Sequence, residues 1–198
     1  MKRHKKFDEV LAAFPNDNKS YVFMVRSYSF LAKAIRFFMR LKQIALGKTT
    51  KEICNHADIY VGNDLVIGAE RRGVFPKTIR GMYGDGKKRI IYIYSIPLNS
   101  SLIGLLRAWS LEQAGKKYEF SNFINQIYRI LYIIFKGREK WLGHRGLGAQ
   151  KRYFCSEFVS TAISQVRPDF SLSPWDDDPM DLKELCESKL IYIKKIKL

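Results

Sequence analysis

The sequence predicts an α+β domain. Helical and strand-like segments mix along the chain without a regular βαβ alternation. A β-rich segment over 53–61, the turn Gly62-Asn63-Asp64 and a returning apolar segment over 65–69 read as a hairpin. Cys155, Phe158, Val159, Ala162, Ile163 and Val166 share one face at helical spacing.

The elements follow in order. Residues 7–14 read as a short helix ending before Pro15. Residues 21–25 read as a strand. Residues 30–46 read as a helix with Lys33, Arg36, Arg40 and Lys42 among many apolar positions. Its wide apolar face suits a core helix; a basic amphipathic helix lying on a membrane is the sharper reading. After the hairpin, residues 89–96 form a strand stopped by Pro97. Residues 101–113 and 120–135 read as helices, and 137–150 as a glycine-rich basic loop holding Trp141 and His144. The Cys155 helix runs to about Val166. Asp176, Asp177 and Asp178 cap and charge a short helix from Pro179. Residues 191–196 form a final strand.

The 198 residues, 46% of them hydrophobic, suit a single domain able to bury a core without staples. Its expected parts are an N-terminal extension over 1–19, a core over 20–185 and a C-terminal strand segment over 186–198. A formal charge of +16 points to an anionic partner, either nucleic acid or an anionic membrane surface. No compact aromatic-basic nucleic-acid motif stands out. Three cysteines without regular spacing argue against a disulfide framework and for a reducing compartment. No Cys-x-x-Cys or His-x-x-x-His cluster suggests a metal, and no cofactor is expected. The basic N-terminus lacks the apolar run of a signal peptide, and no uncharged run reaches transmembrane length. A cytoplasmic protein, or one packaged in a virus particle, is the expectation.

Two residues stand out chemically. Cys155 opens a helix, where free backbone N–H groups favour a thiolate and its own N–H is placed to donate to an oxyanion. Packing in the core is the plainer use of a buried cysteine. His56 heads a strand on which His56, Asp58 and Tyr60 share one face, while Ala57, Ile59 and Val61 form the natural core face. His56 then points toward another element or a cleft. Cys54 lies on the same strand as His56 without a helix terminus, and Cys186 falls late in a helix; both suit packing.

The segment His56-Ala-Asp-Ile-Tyr-Val-Gly through Gly73-Val74 resembles the His-hairpin of the NlpC-type cysteine peptidase superfamily. Tyr153-Phe-Cys155-Ser-Glu157-Phe-Val resembles its cysteine helix. Here the helix follows the hairpin, as in the circularly permuted branch that includes the YiiX-like hydrolases and the lecithin:retinol acyltransferase relatives. The resemblance covers about residues 20–185. It implies a papain-like fold, with Cys155 as nucleophile and His56 as base and then acid. The chemistry implied is hydrolysis of a peptide, isopeptide or lipid acyl bond through a thioester. The third residue, which orients the histidine, falls at Gly68, and glycine orients nothing. Position 58, glycine in the pattern, is Asp58. Asp58 and Glu70 are the two candidate replacements. If neither serves, the alternative is a weak or inactive basic structural protein of a phage particle, bound to nucleic acid or an anionic membrane.

Overall fold

The computed structural model describes residues 12, 14, 17–48, 52–118, 128, 131–132, 135, 152–170, 172 and 178–198. Among them, six strands form one antiparallel sheet: β1 (Ser20–Ser27), β2 (His56–Tyr60), β3 (Leu65–Glu70), β4 (Gly73–Thr78), β5 (Arg89–Ile96) and β8 (Ile191–Lys197). Their order is β4-β3-β2-β1-β5-β8. Two short strands, β6 (Lys117–Tyr118) and β7 (Arg152–Tyr153), pair in parallel beside it. The helices are α1 (Phe30–Ala45), α2 (Ile79–Tyr83), α3 (Ser100–Glu112), α4 (Cys155–Ser164) and α5 (Pro179–Lys189). The architecture is α+β.

The hairpin forms as its turn residues dictate. Asn63 and Asp64 take φ of 54° and 59°, the left-handed region these residue types tolerate, and Gly62 precedes them at φ 83°. Ser29, Asn99 and Asp178 cap α1, α3 and α5 with side-chain oxygens. The final strand, zipped along β5, is an edge of the main sheet, and α5 spans residue 185.

Over the central strands both faces of the sheet are buried. On one, Val22, Met24, Ala57, Ile59, Ile67 and Ala69 pack against Phe158, Val159, Ala162 and Ile163 of α4. This is the core face expected from the alternation of β2. On the other face, Phe14, Tyr21, Phe23, Tyr60, Val66, Ile79, Met82 and Tyr83 form a second core. The Asp58 and Tyr60 face therefore looks onto another element, the first of the two expectations, and not into a cleft. Helix α2, capped by Thr78 and too short to leave a periodic pattern, covers it. Strand β4 was also illegible; Pro76 in its middle is tolerated because the strand is at the sheet edge.

Helix α1 departs from the core-helix expectation. Ala32, Met39, Lys42 and Gln43 face inward, while Phe30, Leu31, Phe37 and Ile44 are exposed. Lys42 is buried and donates to Asp178 (2.8 Å) and Asp181 (2.7 Å) on α5. Burial alone disfavours its charge, but the two carboxylates outweigh that and raise its pKa. Asp178 therefore both caps α5 and clamps α1 to it.

The helix expected over 7–14 lies outside the described residues except Ala12 and Phe14, neither of which is helical. The glycine-rich loop with Trp141 and His144 lies wholly outside them, as do Asp176 and Asp177. Of the 120–135 segment, Tyr128, Leu131, Tyr132 and Phe135 are described, and they are helical.

Candidate active site

Cys155 is the first residue of α4. Phe154 before it is extended (φ −83°, ψ 155°), so the chain turns abruptly from β7 into the helix. Glu157, in the first turn, accepts from the Phe154 N–H at 3.2 Å and fixes that entry. The helix packs on β2 and β3, which sets Cys155 beside the head of β2. The residue is 1% exposed.

His56 opens β2, opposite Val25 of β1. Asn55 just before it is tied to the end of β1. Its N–H donates to Val25 O, and its side chain both accepts from Ser27 N (2.8 Å) and donates to Ser27 Oγ (3.0 Å). The strand end that carries the histidine is thus pinned. The His56 side chain keeps 23% of its exposure, so the site is not sealed.

The ring Nε2 lies 2.8 Å from Asp58 Oδ1. The other carboxylate oxygen accepts from the Tyr83 hydroxyl at 2.6 Å. Tyr83 comes from α2, so the second core holds the acid from behind. Burial and then the Asp58 charge push the Tyr83 phenol well above its ordinary range, which keeps it a donor. Burial opposes protonation of His56. The Asp58 carboxylate, followed by charge and hydrogen-bond interaction with Cys155, overrides this and raises the imidazole well above its ordinary 6.5. With Nε2 on the carboxylate, Nδ1 is the nitrogen left to exchange a proton with the thiol.

Asp58 and Gly68 are direct cross-strand partners in the β2–β3 ladder. A Cβ placed on Gly68 falls 1.8 Å from Asp58 Oδ1. Gly68 is thus the residue that makes room for the Asp58 carboxylate. Glu70, the other candidate, does not approach His56; it pairs with Lys77 at 2.7 Å.

Tyr118 on β6 makes a side-chain hydrogen bond with Cys155. Burial, followed by the charge on the sulfur, raises its phenol far above the ordinary range, so it stays protonated and donates. Sequence reasoning missed Tyr83 and Tyr118. A two-residue strand and a five-residue helix leave no periodic trace, and only the fold brings them to the site. Cys54 and Cys186 are both buried, as packing residues should be. Burial pushes the Cys54 thiol up to about 12 and raises Cys186 well above its ordinary value. Among the described residues no group of His, Cys, Asp and Glu is arranged to hold a metal ion, and no helix is long and apolar enough to cross a membrane.

Comparison of the chain with protein-family models, with curated proteins and with solved structures finds no match.

Proposed function

We propose that the chain is a thiol-dependent hydrolase of amide or ester bonds, built on a papain-like core of the circularly permuted NlpC-type class. One observation carries this reading: Asp58, His56 and Cys155 interact in sequence, with the cysteine at a helix N-terminus. A packed structural cysteine needs no imidazole, and a structural histidine needs no buried carboxylate backed by a tyrosine. The His-before-Cys order and a cysteine helix lying on an antiparallel sheet also support it.

In this mechanism the Cys155 sulfur, as thiolate, attacks the substrate carbonyl carbon, and the carbonyl π pair moves onto oxygen. The Cys155 N–H at the head of α4 and the hydroxyl of Tyr118, which is hydrogen-bonded to Cys155, stabilise that oxyanion. The oxyanion collapses, the bond to the leaving nitrogen or oxygen breaks, and imidazolium His56 protonates the leaving group. Neutral His56 then takes a proton from water, which attacks the thioester and releases a carboxylic acid and the thiolate. Asp58 is a positioning residue: it holds the ring orientation and favours the imidazolium.

The test is acyl-enzyme formation from short-chain p-nitrophenyl esters. The reading predicts a burst of p-nitrophenol, with an acyl mass adduct on Cys155 that Cys155→Ser and His56→Ala abolish. A wild-type protein that forms no adduct on Cys155 overturns it.

A further inference from the structure

We propose that α1 docks in the plane of an anionic lipid bilayer. This inference does not rest on the thiol chemistry.

Helix α1 has two faces, and they are inverted relative to an ordinary surface helix. Ala32, Ile35, Met39 and Lys42, at helical spacing, face the protein. Phe30, Ala34, Phe37, Leu41 and Ile44 form the opposite stripe, also at helical spacing. Phe30 is 89% exposed, and Phe37 and Ile44 each more than half. Leu31 and Leu46 extend the patch. A globular protein normally turns such a stripe inward. Here the buried pairing of Lys42 with Asp178 and Asp181 fixes the helix rotation and holds the stripe outward.

Charge says what covers it. Exposed Lys33 and Arg40 flank the stripe, and Arg36 lies on the same side, held to Ser27 O and over the Tyr28 ring. From Arg26 to Lys51 the chain contains no Asp or Glu. An apolar stripe with basic flanks and no acids is complementary to acyl chains beneath anionic headgroups. Nucleic acid would use the basic flank and can stack bases on the two phenylalanines, but it leaves the exposed aliphatic Leu31, Ile44 and Leu46 without an apolar partner. At 16 residues the helix is about 24 Å long, suited to lying in the interface. Docking also has a consequence for position. Ser27, at the end of β1, is bonded to Asn55 beside His56, and α1 begins three residues later. The bilayer would therefore lie at the end of the sheet that carries His56.

The experiment is flotation of the full chain with vesicles of phosphatidylcholine alone and of phosphatidylcholine mixed with phosphatidylglycerol. Circular dichroism checks the fold of each variant. The wild type is expected to float with the mixed vesicles only, less so at high salt. Phe30→Ser/Phe37→Ser/Ile44→Ser should weaken binding at least about tenfold, and Lys33→Ser/Arg40→Ser about tenfold as well. All five positions are exposed or flank the exposed stripe, so their folds should persist. Absence of wild-type binding to mixed vesicles overturns the proposal, as does equal binding by the folded triple variant. So does a self-association or DNA affinity that the triple substitution removes while vesicle binding is absent.

Discussion

Gly68→Ala is a one-methyl change with a disproportionate expected effect. The added Cβ would sit 1.8 Å from Asp58 Oδ1. Carbon and oxygen atoms normally approach no closer than about 3.3 Å, so one of them must retreat by roughly 1.5 Å. Gly68 is locked in the ladder opposite Asp58, and the carboxylate is gripped by Tyr83 and buried, so the strain falls on the bond to His56. Overpacking of this kind costs about 1–3 kcal/mol of stability. A misplacement of order 1 Å at a catalytic group costs about 100-fold in rate. Steady-state kcat/KM on a p-nitrophenyl ester, with thermal unfolding in parallel, measures both. The expected result is a fall of about 100-fold in a protein that still folds. Wild-type kcat/KM in Gly68→Ala refutes the claim that this glycine exists to seat the carboxylate. The exchange Asp58→Gly/Gly68→Asp supplies the converse. Cross-strand partners have Cβ atoms about 5 Å apart, so the acid approaches His56 from the other strand and restores part of the activity that Asp58→Gly loses.

Three further variants have expected outcomes. Asp58→Asn removes the charge that raises His56, so the imidazolium is lost at lower pH and the alkaline limb of kcat/KM shifts downward; a pH–rate profile, with His56 ring shifts by NMR, checks it. The raised histidine also adds stability that is complete below about pH 6.5 and lost as pH rises through its folded value, so in Asp58→Asn unfolding measured across that window should show a smaller loss. Lys42→Met strands two carboxylates, Asp178 nine-tenths or more buried with it, and should cost about 3–5 kcal/mol in urea unfolding, with no direct effect on the thiol chemistry. Tyr118→Phe removes a donor at the sulfur and should lower kcat about 10–100-fold with little change in KM, read from steady-state kinetics.

Much of the fold was legible because its signals are local. The hairpin was marked by its turn, β5 by Pro97, α5 by Asp178-Pro179, and α4 by its apolar spacing. What stayed hidden depends on long-range pairing. Strand β4 holds a proline that only an edge position tolerates, and α2 is too short for periodicity. The site followed the same division. His56 and Asp58 are two residues apart on one strand face, so their meeting could be read from alternation. That Gly68 is the space Asp58 needs follows only from the β2–β3 register. For helix α1, apolar width suits a core helix, yet Phe30, Phe37 and Ile44 are exposed. A buried lysine 136 residues from its partner Asp178 turned that face outward, and no local pattern encodes such a pair.

The central claim is that His56 activates Cys155. Its most direct test is the alkylation rate of each cysteine by iodoacetamide near neutral pH, resolved by mass spectrometry, in wild type and His56→Ala. The account predicts that Cys155 labels far faster than Cys54 and Cys186 and slows sharply in the variant. Labelling of Cys155 as slow as the other two, and unchanged by His56→Ala, would contradict it.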